Sequence, residues 1–432
     1  MVKKKNYLLF SFLLSTSMLY LSYIVDNLNN IKYIEVLIFI VLLVLYLGMP
    51  KINIEKGPKE MLYKTMVAFG IVYLLRALWD LGVAGESQTL FTNDSTVYFY
   101  IINGMIIPLI FLPRAKIQVD FKWAYFFTAI VLLFALFYSV DKFINSAVQQ
   151  AYRDQMFGAN ENISVIEYGH LGLTAAIMGA ALFMKRKEKR SFFYCSIPLM
   201  LIGIISIFLS GTRSAMVGLI FIFAIYAIAT FKRKTLIPFV IFLFIFVYYS
   251  ESIIEFADSF GVGGSVSRIF RLINESGDQS SGRSTIWAYA LKQCWSSPVF
   301  GVSCFFHTLD ADVHYVHNSV IEVFYALGLV GVIIFIIFNI IAIRTCIRIF
   351  KSQNTNLVCF ALLYLQYFTL SLFSNSILRL PLYWYFFSMV MCIHFNGLVD
   401  KKKVHRPIVS TNNTEQPPVV PVTSQQLDPQ KS

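Results

Sequence analysis

Apolar residues along this chain come in long, nearly unbroken runs, and polar residues gather in the segments between them. Taking each run as a helix places elements over roughly 7–25, 33–49, 62–83, 96–112, 121–140, 164–184, 192–209, 213–230, 235–250, 317–343, 355–374 and 378–396. About 20 apolar residues cross the hydrocarbon core of a bilayer as a helix. In lipid, only helices and closed barrels satisfy their own backbone groups, and these runs lack the alternation of a barrel strand. The pattern predicts an all-α polytopic membrane protein with about 12 transmembrane helices. The third run carries Arg76 and Asp80, four apart on one helical face and so able to pair.

Composition narrows the class. The 432 residues are 57% hydrophobic and 14% charged, and mean hydropathy is +0.65. Soluble domains are about 25% charged, so a soluble globular protein, a disordered chain and a disulfide-rich secreted domain are excluded. A net charge of +12 would suggest nucleic acid on a soluble protein, but here its distribution decides. With the N-terminus inside, the inner segments hold Lys3–Lys5, then Lys51, Lys56 and Lys59, then Arg114, Lys116 and Lys122. Lys185–Arg190, Lys232–Lys234, the group Arg344, Arg348 and Lys351, and the tail from Lys401 follow. Of the 36 Lys and Arg residues, 25 fall on the inner side and 9 on the outer. The positive-inside rule then predicts an even number of spans with both termini cytoplasmic. The charge reads as topology, and no nucleic-acid partner is needed. Lys3–Lys5 ahead of an apolar run also resembles a signal peptide, but no small-x-small cleavage site follows, so the first helix is expected to stay.

The chain divides into helices one to nine over 1–250, a large outer loop over 251–316 containing short helices, helices ten to twelve over 317–396, and a tail over 397–432. The tail is rich in Pro, Thr, Asn and Gln and reads as disordered. A second outer loop runs from Asp141 to about Ile163. Loops of such length are seldom inert. Matched Gly/Pro-broken helices in two halves, the mark of a repeat-built transporter, are not seen. The six cysteines show no paired spacing; Cys294 and Cys304, both in the large loop, can form a disulfide if that compartment is oxidising.

Candidate chemistry gathers in the large loop. Arg268, Arg271 and Arg283, with His314 and His317 just before the tenth helix, make a cationic group beside the bilayer. Arginine offers phosphate a planar fork of donors and stays charged, and histidine exchanges a proton near neutral pH. Together they suit an anionic, lipid-linked phosphate substrate at the outer face. Arg213, in the short outer hairpin Ser210–Ala215, either joins this group or snorkels to headgroups; Arg379, in the last outer turn, has the same two readings. His314 and His317 are three apart but lack a third ligand at metal spacing, so no metal is expected, and either can instead cap the tenth helix. Asn318 and Glu322 share a helical face, and a carboxylate one turn into a span is costly and often functional; Glu322 either orients the site or pairs with an arginine. Glu167 and His170 form a lesser candidate pair. Charges clustered at one face argue against a transporter or flippase of a lipid-linked anion, whose path needs polar residues near mid-membrane.

Three stretches, in order, carry a resemblance: Ser210-Gly-Thr-Arg213-Ser-Ala; Ser281-Gly-Arg283-Ser-Thr-Ile-Trp287, continuing to Ser-Ser-Pro298-Val-Phe-Gly301; and His317-Asn318-Ser-Val-Ile-Glu322 ahead of Gly328-Leu-Val-Gly331. On these the chain resembles the bacterial O-antigen ligase and O-antigen polymerase superfamily. The resemblance implies a metal-independent, cofactor-free glycosyltransferase of the inner membrane, with its active site at the periplasmic face. The donor would be a glycan on undecaprenyl diphosphate. The acceptor would be a lipid-linked repeat unit for a polymerase or lipid A-core for a ligase, with membrane lipids around it and a chain-length regulator as a further partner. Carried over, Arg213 and Arg283 grip the diphosphate and His317 activates the acceptor hydroxyl, while Arg268, Arg271, His314, Asn318 and Glu322 support binding. The His-Asn-Ser and Ser-Gly-Arg forms favour the polymerase; capsule polymerases look similar.

Overall fold

The computed structural model describes residues 6–24, 28–85, 94–117, 120–151, 165–210, 212–230, 283–307, 315–352 and 354–399, with a few isolated positions between 237 and 259. Among them there is no strand, only an isolated bridge between Lys51 and Ala115. In chain order the helices are α1 (Tyr7–Ile24), α2 (Leu28–Gly48) and α3 (Pro58–Leu78), which passes into a π-helical turn at Trp79–Val83. α4 begins at Asp94–Phe99, widens to a π-helix over Tyr100–Ile106 and closes at Ile107–Phe111. Then come α5 (Lys122–Ala151), α6 (Val165–Met184), α7 (Arg190–Ser210), α8 (Arg213–Thr230) and α9 (Arg283–Cys294). α10 (Ser319–Ser352), α11 (Thr355–Phe373) and α12 (Pro381–Phe395) complete the described chain.

Each apolar run except the ninth coincides with one of these helices; most of 235–250 lies outside the described residues. Seven helices among the described residues are long and apolar enough to cross a membrane: Pro58–Val83, Thr96–Arg114, Ile166–Met184, Arg190–Ser210, Arg213–Thr230, Ser319–Ser352 and Thr355–Phe373. Four shorter apolar helices accompany them at Tyr7–Ser17, Ile34–Gly48, Lys122–Phe137 and Pro381–Phe395. Two helices outrun the apolar pattern. α10 continues through Arg344, Arg348 and Lys351, because intrahelical hydrogen bonding does not require apolar side chains and Arg and Lys are good helix formers. α5 continues to Ala151, well into the expected outer loop, over a stretch free of Gly and Pro. Residues 152–164 of that loop, and the tail from 400, lie outside the described residues.

The pattern of exposure is that of a bundle in lipid. Leu75, Val330, Ile333 and Ile337 stand on the surface, where apolar side chains face no aqueous cost. α12 is buried on nearly every side, as expected of a helix apolar all round. Its Trp384 packs edge-on against Tyr383 and Phe387, and Asn339 of α10 accepts hydrogen bonds from Tyr364 and Tyr383, each at 2.8 Å. α6 and α7 approach closely through glycine: a Cβ on Gly172 would lie 2.7 Å from the Gly203 carbonyl oxygen. Small residues at such crossings let helices pack without a hydrophobic drive.

The segments assigned to the inner side meet one another. Ile52 N donates to Arg114 O at 2.7 Å and Lys116 N to Pro50 O at 2.8 Å. The buried Lys185 ammonium reaches Asp120 at 3.4 Å and donates to Asn356, and Asn396 donates to Ala115 O at 3.0 Å.

The Arg76–Asp80 pair forms, at 2.9 Å, and does more than neutralise itself. Asp80, 1% exposed, also accepts from Cys304 N at 2.7 Å, while Arg76 donates to the carbonyls of Phe300 and Val302. The pair thus anchors the Phe300–Cys304 loop to α3. That loop also lies on a break in α10, where Gly328 takes φ 67, ψ −164. Leu329 N reaches Pro298 O at 2.7 Å, and Val302 N reaches Tyr325 O at 2.6 Å. Gly301 faces it at φ 77, with space for no Cβ: one would sit 2.6 Å from Ala326 C. This explains glycine at both positions. Cys294 and Cys304 are both buried free thiols.

Candidate functional site

His317 lies immediately before α10 and is the one non-glycine residue among the described residues with positive φ, at 58°. That region costs an L-residue roughly 1–2 kcal/mol, and such strain persists where the surroundings over-determine it. Three contacts do so here. Trp287 of α9 donates its indole N–H to Val316 O at 2.9 Å. The imidazole packs on Tyr315 with centroids 4.1 Å apart. It also hydrogen-bonds to the Ser374 main chain. Nδ1 is buried with no partner among the described residues.

Asn318, not a histidine, caps α10: its Oδ1 accepts from Val320 N at 3.0 Å and Ile321 N at 3.1 Å. Losing such a cap costs about 0.5–2 kcal/mol. Asn318→Ala is therefore expected to lower the unfolding free energy by about that much while leaving the turnover of folded protein within a few-fold; thermal melting beside a rate assay checks both.

Arg283 opens α9 and donates to Phe373 O at the end of α11. Burial and the nearby Arg213 charge both lower its affinity for a proton. Arg213 opens α8. Ser210 and Thr212 ahead of it pack on Gly169, where a Cβ would lie 2.6 Å from Ser210 Oγ. Two guanidiniums lie near one another, with Arg283 partly desolvated, and an anion bound between them would favour the charged form of both.

Glu322, 5% exposed, accepts from Ser376 Oγ and, at 3.0 Å, from Ile377 N. Its carboxylate is thereby committed to the α11–α12 turn. Sequence reading did not anticipate that turn's part in the site: Phe373 takes Arg283, Ser374 takes His317, and Ser376 with Ile377 takes Glu322. The ligating groups are largely main chain, which leaves no residue signature. Tyr315 was also unforeseen. Burial pushes its phenol pKa up, against the opposing pull of Arg379 and then Arg283; Glu167 and Glu322 add to the rise. His170 sits deeper, in a network with Ser214 at 3.0 Å and Gln366, which donates to its carbonyl at 2.9 Å. Arg268, Arg271 and His314 lie outside the described residues. Among the described residues no three His, Cys, Asp or Glu side chains converge as metal ligands.

Burial, and then the charge of Arg283, push the His317 pKa down from 6.5 to about 4, against the opposing Ser374 hydrogen bond. A lowered value means the neutral imidazole, the form able to take a proton, persists down to about pH 4. If His317 is the essential base, the acid limb of kcat/KM, which reports the free protein, is expected near that pH. Replacing Arg283 by Gln removes one cause and is expected to shift the limb upward toward 6.5; a pH–rate profile of both proteins checks it.

Two comparisons with known proteins complete the picture. Residues 198–336 match the family model described as O-antigen ligase. No curated protein matches the chain. The matched stretch runs from within α7 into α10 and contains Arg213, Arg283, His317, Asn318 and Glu322; the Phe373–Arg379 turn lies beyond it.

Proposed function

From the match of residues 198–336 to the O-antigen ligase family model, we propose that the protein is an inner-membrane glycosyltransferase working at the periplasmic face, with both termini cytoplasmic. It takes a glycan from undecaprenyl diphosphate and joins it to an acceptor sugar hydroxyl. The observation that carries this is the strained His317, whose Nδ1 has no partner among the described residues, set beside Arg283 and, through it, Arg213.

In this reading the acceptor hydroxyl gives its proton to Nδ1 of His317, and its oxygen forms a bond to the anomeric carbon of the donor sugar. The bond from that carbon to the diphosphate oxygen breaks, and the electron pair leaves with the lipid diphosphate. Arg213 and Arg283 stabilise the charge that grows there, which is the work of electrostatic catalysis. Donor binding also offsets the Arg283 charge beside His317, so the base strengthens when the donor is in place. Asn318 and Glu322 hold the frame; Arg268, Arg271 and His314 extend the cationic surface.

The acceptor in this reading is the next lipid-linked repeat unit, so the enzyme polymerises O-antigen or capsule units, and a chain-length regulator is a natural partner. The description of the matched family favours a second reading, a ligase whose acceptor is lipid A-core. Surface-polysaccharide gels of the native host test both. Arg283→Ala and His317→Ala, at normal protein level, are expected to reproduce the deletion strain; full-length lipid A-linked glycan in both would overturn the assignment. A deletion strain showing a single repeat on core identifies the polymerase, and one showing bare core identifies the ligase.

A further inference from the structure

The Ile377–Arg379 turn is a rigid mount for one exposed cation. Glu322 holds it through Ser376 Oγ and Ile377 N. Ser376 Oγ turns back to accept from Leu378 N at 3.2 Å, and Trp384 Nε1 donates to Ile377 O at 3.1 Å. Ile377, Leu378 and Leu380 are buried while Arg379 between them is exposed. A buried carboxylate near the membrane is an expensive anchor for a turn that presents a single side chain. Such an anchor is retained more readily where the presented group has work to do.

Arg379 stands at the α12 end of the turn whose α11 end, Phe373, receives Arg283. Its charge acts on Tyr315, where Arg283 also acts, and on the Tyr100 hydroxyl. Arg213 in turn acts on Arg283. Arg379 and Arg283 thus both lie near Tyr315 and the adjoining His317, and Arg379 also lies near Tyr100 at the start of the α4 π-helix. π-helical segments are frequent at functional sites. The segment that mounts Arg379 is the one that also receives Arg283 at Phe373 and His317 at Ser374.

We propose that Arg379 forms a second anion position, at the other end of the α11–α12 turn from the Arg283 contact, which holds a phosphate of the acceptor substrate. Glu322 is its positioning residue. This rests on the glycosyltransferase reading, in which one diphosphate already occupies the Arg213–Arg283 position. The acceptor is therefore itself anionic, either a second lipid diphosphate or a phosphorylated lipid A.

The test uses the full-length protein in phosphatidylcholine nanodiscs, titrated with farnesyl diphosphate as a short isoprenoid diphosphate. Two molecules are expected to bind per wild-type chain and one per Arg379→Gln chain. One per wild-type chain, or two retained by Arg379→Gln, would overturn the second position. Arg283→Gln separates the two readings: it is expected to remove the other molecule, and its failure to do so would remove the donor assignment while leaving the Arg379 result intact. Glu322→Gln, if folded by melting and circular dichroism, is expected to weaken only the second binding step, by about 10- to 100-fold, the scale of one charge-assisted contact. An unchanged second step in that folded variant refutes the positioning role. Competition by bis-phosphorylated lipid A, displacing one farnesyl diphosphate from wild type and none from Arg379→Gln, identifies a phosphorylated lipid A acceptor; displacement of none in wild type identifies a second lipid diphosphate.

Discussion

Replacing His317 by Asn is expected to lower glycan transfer by about 10²- to 10⁴-fold, the range for loss of a positioned general base, without unfolding the protein. Asn is the informative substitution because His317 sits at φ 58°. Asn enters the left-handed region far more readily than other non-glycine residues, so the chain can keep its path into α10 while losing the imidazole. His317→Ala removes the base too, but forces a residue without that preference into the same backbone, and should show an added stability loss of roughly 1 kcal/mol. Initial rates on purified protein, with thermal melting of both variants, separate the two effects. A His317→Asn protein that keeps more than about a tenth of wild-type turnover would contradict a base worth the 10²-fold minimum. A loss confined to melting would make the strain a purely structural one.

The helices were legible because the property that defines them, a solid apolar run, is local in sequence and is demanded directly by lipid. Where they ended was less legible: α5 and α10 continue past the apolar runs because hydrogen bonding along a helix does not stop where hydrophobicity does. The Arg76–Asp80 pair followed from its spacing alone, but not its hold on the Phe300–Cys304 loop, which lies more than two hundred residues away in the chain. Arg283 and His317 could be singled out as scarce polar groups beside long apolar runs. The turn that organises them could not, since Phe373 and Ser374 contribute main-chain groups that any residue type carries. Asn318 is instructive in another way. Its place beside His317 suggested a substrate contact, and its Oδ1 caps two backbone N–H groups of α10; a cap and a ligand use the same residue types. Arg379 carried two readings from sequence, a member of the cationic group or a headgroup contact, and the buried Glu322 under its turn is what the sequence alone did not supply.

Changing Arg283 is expected to cost about 10²- to 10³-fold in kcat as Ala, the scale on which one preorganised charge acts on a developing anion. Lys should recover only part of that loss. The guanidinium uses one N–H on Phe373 O and presents its remaining donors as a planar fork, which an ammonium on a flexible stem cannot reproduce. The free protein also keeps Arg283 partly buried near Arg213, a like-charge arrangement that disfavours its own charged form and gives stabilisation back when an anion arrives. Arg283→Ala should therefore combine a large loss of rate with a small change in stability: a lost hydrogen bond of about 1 kcal/mol set against relief of repulsion. Kinetics at saturating donor, read beside melting curves with and without farnesyl diphosphate, decide the matter. Wild type should gain thermal stability on ligand addition and Arg283→Ala should gain much less. Equal gains with an unchanged kcat would place the diphosphate elsewhere in the molecule.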